Sequence, residues 1–215
     1  MKDNSLIIIP TYNEAENIKA VINKIFSLDN YNSILVVDDN SPDRTSNIVR
    51  NLKKNYEDKL FLITREKKDG LGSAYKEGFK WAIEKNFSYI FEMDADLSHD
   101  PNEIKKLKRM LVNGECDVAI GSRYLEGVSV VNWPLSRIFL SYFANIYVRL
   151  ITCMPVKDST SGFVGYKIEA LSSLDIDKIK FNGYAFQIEM KFKLWKKKFK
   201  LKEHQIIFVN REQGD

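Results

Sequence analysis

The chain has little of what builds a protein without a large core. Its 215 residues include two cysteines, Cys116 and Cys153, in no Cys-x-x-Cys pair and at no metal-binding spacing from a histidine. That excludes a disulfide framework and a zinc finger, and it predicts two buried thiols in a reducing compartment. Five prolines and ten glycines, without period, exclude collagen-like and low-complexity classes. No uncharged apolar run reaches the ~18 residues of a membrane span, so no segment is expected to cross a bilayer. Met1-Lys2-Asp3-Asn4-Ser5 leads straight into a strand-like run without a secretory leader pattern. These absences predict a cytosolic protein, or one held peripherally on the cytosolic face of a membrane.

Charge is modest, at +4 net. The excess gathers late, in Lys191, Lys193, Lys196, Lys197, Lys198, Lys200 and Lys202. No nucleic-acid motif accompanies these lysines, so no nucleic-acid partner is expected. They suit an anionic membrane surface or a solvated helix face.

Five short apolar runs are present: Leu6–Ile9, Ile34–Val37, Leu60–Ile63, Tyr89–Met93 and Asp117–Ile120. Non-alternating runs suit strands buried on both faces of a parallel sheet. Helical patterns lie between them over Ala15–Phe26, Thr45–Leu52, Gly72–Asn86 and Pro101–Val112, the last behind the capping residue Asp100. This alternation predicts an α/β fold with a doubly wound, mostly parallel sheet and helices on both faces. Beyond residue 121 the pattern changes. Trp133–Leu150 is apolar and aromatic but interrupted by Arg137, Asn145 and Arg149, which predicts an interfacial helical segment. Asp158–Phe163 reads as a turn-rich loop, Tyr184–Lys197 as a helix and Gln205–Val209 as a final strand.

In such sheets ligands bind at the carboxyl ends of the strands. Three of those ends read Pro-Thr-Tyr-Asn-Glu, Asp-Asp-Asn-Ser-Pro-Asp and Asp-Ala-Asp-Leu-Ser-His-Asp. Asp94 and Asp96, two apart on an extended chain, point the same way. A carboxylate pair there suits Mg²⁺ or Mn²⁺, which complete their shell with substrate phosphates and water. Asp38 and Asp39 are placed to accept hydrogen bonds from a ribose or base. His99 is expected to shape the loop rather than bind the metal. Asp69-Gly70-Leu71-Gly72 is neither a dinucleotide fingerprint nor a Walker loop, and reads as a tight turn near the ligand.

These residues together resemble a known family. Ile9-Pro10-Thr11-Tyr12-Asn13-Glu14, Val36-Val37-Asp38-Asp39-Asn40-Ser41-Pro42-Asp43, Gly70-Leu71-Gly72, Asp94-Ala95-Asp96-Leu97-Ser98-His99, Gly121-Ser122-Arg123-Tyr124, Asp158–Phe163 and Gly183–Glu189 look like the polyprenol-phosphate glycosyltransferases of the dolichol-phosphate mannose synthase type. The resemblance implies a single GT-A catalytic domain over 1–215, with 1–121 holding a nucleotide sugar and 122–215 the acceptor. It implies inverting transfer of a hexose, with GDP-mannose the favoured donor, to a polyprenyl phosphate acceptor. Pro10, Tyr12, Glu14, Val37, Asp39, Asp94, Ala95, Asp96 and Arg211 would contact the donor. Asp94 and Asp96 would hold the metal, and Arg123 and Arg137 the acceptor phosphate, with Asp96, Arg123 and Arg137 carrying catalysis. The late Arg-x-x-Gly-x-Ser-Lys motif of the family departs here, as Arg211-Glu212-Gln213-Gly214-Asp215 lacks its Ser-Lys half. Many relatives carry further membrane helices, which leaves room for an anchoring subunit or a further C-terminal membrane segment.

A phosphate acceptor arrives ionised and needs no general base. Arginines and a metal then serve to bring two anions together. Arg137, in an apolar stretch, is expected to need an anionic partner. Alternatives are a UDP-glucose-type donor, a polysaccharide hydroxyl acceptor served by Asp158 as base, and a non-catalytic nucleotide- or lipid-binding partner.

Overall fold

The structure is a computed structural model and describes residues 4–28, 32–56 and 58–210. The first half alternates as β1 (Ser5–Thr11), α1 (Ile18–Leu28), β2 (Asn32–Asp38), α2 (Thr45–Lys53), β3 (Leu60–Thr64), α3 (Leu71–Glu84), β4 (Tyr89–Glu92), α4 (Glu103–Val112) and β5 (Val118–Ser122). The second half holds β6 (Val130–Val131), α5 (Leu135–Thr152), β7 (Val164–Lys167), α6 (Ile168–Ser172), a 3-10 turn (Ile176–Lys178), α7 (Gly183–Lys196), β8 (Leu201–Gln205) and β9 (Phe208–Val209).

Seven strands form one sheet in the order β3-β2-β1-β4-β7-β5-β8. Strand β1 pairs in parallel with β2 and β4, β2 with β3, and β5 with β8. Strand β7 runs antiparallel to both its neighbours. The sheet is mostly parallel, as expected, with β7 inserted between β4 and β5. The four residues of β7, Val-Gly-Tyr-Lys, are too short and mixed to announce a strand. The glycine weakens the signal and is needed there, since a Cβ on Gly165 would lie 2.6 Å from the Phe91 ring. The expected final strand also divides into β8 and β9. The latter pairs with β6 in a separate two-stranded ribbon.

Alternate strand residues feed two cores. Ile7, Ile9, Ile34 and Val36 pack against α1, α2 and α4. Leu6, Ile8, Leu35 and Val37 pack against α3, α6 and α7. Helices therefore cover both faces, as the sequence predicts. Because β1, β2 and β4 are parallel, their carboxyl ends lie along one edge, and the three polar motifs follow there.

Helix α5 breaks the usual rule. Leu135, Phe139, Leu140, Tyr142, Phe143, Tyr147, Leu150 and Ile151 are all exposed, and Asn145 is its one buried residue. It is therefore not a core helix. Cys153 follows it in a left-handed cap with φ 55° and is exposed, contrary to the expectation of two buried thiols. Cys116 is buried as expected. Among the described residues, no helix is long and apolar enough to cross a membrane.

Candidate active site

The edge beyond β4 carries the acidic pair. Asp96 Oδ1 accepts the Ser98 backbone N–H at 3.0 Å, folding the loop back on itself. Leu97 between them sits at φ 60°, a left-handed conformation that a branched side chain adopts at a cost of about 1–2 kcal/mol. Burial and the neighbouring Asp96 and Glu92 carboxylates push the Asp94 carboxyl up to about 7. With 34% of its side chain exposed, carboxylate repulsion is the firmer of those two causes. A cation placed there relieves that repulsion.

His99 does shape the loop, stacking on Phe163 at 4.9 Å and meeting Phe208 edge-on at 5.1 Å. Burial drives its pKa down to about 4, so the ring is neutral. Its Nδ1 lies 3.7 Å from Asp94 Oδ2 and has no hydrogen-bond partner among the described residues, like the nearby Ser98 Oγ. A neutral imidazole nitrogen without a protein partner, beside the Asp94 carboxylate, fits a divalent cation through its lone pair. No group of three or more metal-binding side chains converges among the described residues. That suits a metal that takes its remaining ligands from phosphates and water.

On one side of the pair lies a cavity of about 250 Å³ lined by Pro10, Tyr12, Glu14, Asp39, Ala95 and the start of α3, among others. The Lys68 ammonium lies 3.7 Å from the centre of the Tyr12 ring. Gly70, at φ 87°, starts α3, and Gly72 lets it approach Asn182 and Phe181 where a Cβ would be 2.9 Å from the Asn182 side chain. The two expected acidic neighbours divide their work. Asp38 is fully buried and spends its carboxylate on Thr11 Oγ1, Ser41 N and Oγ, and Ser46 Oγ, so it holds the turn. Asp39 borders the cavity, fixed by Arg65 at 2.6 Å and by the Asp69 N–H at 3.2 Å. Val37 is fully buried in the core and does not line the cavity.

On the other side, Arg123 follows β5. Its Nε and Nη2 donate to the two oxygens of Asp158 at 2.8 and 2.7 Å, and its backbone N–H donates to the same carboxylate at 2.9 Å. Both side chains are buried. Burial alone would raise the Asp158 pKa, but the hydrogen bonds and charge of Arg123 hold it below 3.8. Arg123 Nη1 makes no hydrogen bond to the described residues, and Arg123 lines a central cavity of about 350 Å³ together with Asp94, Asp96, Arg137 and Gln187. Arg137 is exposed rather than stranded in an apolar core. It donates to Asn210 at 3.1 Å and lies 3.9 Å over the Trp133 ring, so it carries no burial cost that demands an anion. Beyond the two arginines runs an apolar groove of about 450 Å³, walled by Leu140, Ala144 and Val148 of α5 and by Ile188 of α7. Arg211 lies outside the described residues.

Sequence reasoning missed what lies under this site. Lys191, counted with the surface lysines, is fully buried. Its position four residues after Gln187 turns it into the sheet, where Nζ donates to the Ser161 carbonyl at 2.7 Å and to Gln187 Oε1 at 3.2 Å. Glu92, also fully buried, accepts from Tyr166 at 3.0 Å and from Gln187 Nε2. The available signal was a lone charge in the strand Tyr-Ile-Phe-Glu-Met.

Known proteins resemble this chain in sequence and fold. The model of glycosyl transferase family 2 matches residues 6–175. The chain is 39% identical to a polyprenol monophosphomannose synthase of Mycolicibacterium smegmatis over 98% of this chain and 79% of that protein. It is 36% identical to an undecaprenyl-phosphate mannosyltransferase of Micrococcus luteus, covering 98% and 85%. It is 38% identical to a dolichol-phosphate mannosyltransferase of Pyrococcus furiosus, covering 97% of this chain and 57% of that protein. Two solved structures share the fold at low identity. A glucosyl-3-phosphoglycerate synthase of Mycobacterium tuberculosis, solved with Mn²⁺ and uridine diphosphate, superposes with a TM-score of 0.71 at 17% identity over 99% of this chain and 72% of that one. A mannosyltransferase of Pyrobaculum calidifontis, in complex with GDP-Man and Mn²⁺, gives 0.63 at 18% identity over 99% and 58%.

Proposed function

Because the chain belongs to glycosyl transferase family 2 and is a glycosyltransferase, we propose that it moves a hexose, with mannose from GDP-mannose favoured, onto a polyprenyl phosphate. One observation carries this. Three cavities lie in series: the Tyr12–Asp39 pocket shares Asp94 and Asp96 with the central cavity, which shares Arg123 and Arg137 with the apolar groove. A nucleotide, a diphosphate and a lipid phosphate with its chain need that order of surroundings. The names of the relatives point the same way. In this reading the chain is one catalytic domain, with the donor in the first half and the acceptor in the second.

Asp94 and Asp96 would hold Mg²⁺ or Mn²⁺, which supplies positive charge to the leaving diphosphate. Asp39 and Tyr12 border the nucleoside. Arg123 Nη1 and Arg137 draw the acceptor phosphate beside the donor and offset the repulsion between the two anions. A phosphate oxygen attacks the anomeric carbon, the bond to the diphosphate oxygen breaks, and the electron pair leaves with the nucleoside diphosphate. No proton has to be removed. One displacement inverts the anomeric centre. A hydroxyl acceptor is disfavoured by the same geometry, since Asp158, its candidate base, is buried and tied to Arg123. The exposed apolar face of α5 supports peripheral seating on a membrane, with the apolar groove opening at that helix.

The test is incubation of the protein and Mn²⁺ with polyprenyl phosphate and labelled GDP-mannose or UDP-glucose, scoring label in the organic phase. Lipid-linked mannose is expected, β-linked by NMR, and Asp96→Ala lowers turnover by about 10²–10³. No lipid product from any donor defeats the assignment.

A further inference from the structure

Gln187 lies on the floor of the central cavity, beside Asp94 and Gly162. A side-chain amide can present either its oxygen or its NH₂ to a ligand, and the surroundings decide which. Here they decide it fully. The Lys191 ammonium only donates, so it takes Gln187 Oε1 at 3.2 Å. The NH₂ group must then face Glu92, to which it donates. Reversing the amide would set NH₂ against an ammonium and an oxygen against a carboxyl oxygen. Glu92 is braced in turn by the Tyr166 hydroxyl. The two charged residues meet through the amide rather than in a direct ion pair.

The same ammonium has a second hold. It donates to the Ser161 carbonyl at 2.7 Å, while Ser161 Oγ donates to the Gly121 carbonyl at 2.6 Å. This seats the turn that carries Gly162 against Asp94 and Asp158 against Arg123. A buried lysine is costly unless its donors are satisfied, and the bonds to Ser161 and Gln187 satisfy them.

We propose that Lys191 is a positioning residue for sugar transfer: it locks the Gln187 amide so that the remaining N–H of Nε2 is presented to an oxygen of the donor sugar-phosphate. It builds on the transferase reading above and adds to it a residue that touches no substrate. Lys191→Met leaves that amide free to turn. A misaimed donor costs orientation at the reacting carbon rather than affinity, so kcat falls about tenfold or more while the donor KM stays within about twofold.

The experiment pairs kinetics with ¹H–¹⁵N spectra of the full chain. The Gln187 side-chain resonances are assigned by their loss in Gln187→Met. In the wild type they are shifted and exchange slowly with solvent, and in Lys191→Met they move toward ordinary amide positions and exchange fast. Removing one charge leaves the other buried without its partner, so the double variant Glu92→Gln/Lys191→Met is included. It recovers the stability that Lys191→Met loses but not the lost kcat. A merely structural lysine would give back both. The proposal is overturned if the Gln187 resonances are unchanged in Lys191→Met, or if the double variant turns over like the wild type. A wild type inactive with every nucleotide sugar would strike the transferase reading instead, and the spectra would still decide the amide.

Discussion

Helices α1 and α5 are both rich in apolar side chains, and they aim them in opposite directions. In α1, Ile18, Val21, Ile22, Ile25 and Phe26 are all buried against the sheet. In α5 eight large apolar side chains are exposed, Ser141 Oγ accepts from the Tyr124 hydroxyl at 2.7 Å, and the one buried residue is Asn145. Its Oδ1 accepts from Ser159 N and Oγ, both at 2.7 Å, and its Nδ2 donates to Thr160 Oγ1 at 3.2 Å. One helix is held by burial of area, the other by directed hydrogen bonds that seat the Asp158–Thr160 turn. Apolar content alone therefore does not tell a core helix from one that offers its apolar face outward.

The contrast can be broken at several points, from the largest expected effect to the smallest. Asp158→Asn leaves Arg123 buried without its counter-charge under α5. Unfolding by denaturant should show a loss of about 3–5 kcal/mol. The wild-type pair also sets an acid limit. Because the folded Asp158 pKa is held below 3.8, its stabilisation is fully present above about pH 3.8 and is lost as pH falls through the lower folded value. An acid midpoint that stays in place in Asp158→Asn would remove the pair from that account.

Ile22→Ala, in the middle of α1, should cost about 2–5 kcal/mol by the same measurement, as cavities in packed cores do. Asn145→Leu should cost about 1–3 kcal/mol, since the Ser159 and Thr160 N–H groups lose their acceptor. If that variant is instead more stable, α5 is held by apolar contact after all. The smallest change in stability is expected for the double variant Phe139→Ser/Phe143→Ser on the outer face, within about 0.5 kcal/mol. The same variant should lose flotation with anionic lipid vesicles. Flotation equal to the wild type would reject the membrane-facing role of that surface.

Much of the first half was legible in the sequence. Short apolar runs ending in polar motifs placed β1, β2 and β4 and the Asp94–Asp96 pair, because period and strand ends are local signals. The second half and the directions of the side chains were less legible. Strand β7 was hidden by its length and by Gly165. The division of labour between Asp38 and Asp39 could not be read, as adjacent side chains on a strand point to opposite faces and only the fold says which face holds the ligand. Arg123 was identified, but its ion pair with Asp158 joins residues 35 positions apart. Arg137 was given a burial that the structure does not impose.

By itself, then, the sequence determined the α/β class, the acidic motif after β4 and the strand–helix alternation of the first half, since each depends on neighbouring residues. Only the tertiary structure decided what those residues face. Lys191 and its surface neighbours Lys196 and Lys197 are the same residue type on or beside one helix, yet Lys191 enters the core to hold Gln187 and Ser161. The direction of a side chain is set by what packs against its element, and that information lies far away in the chain.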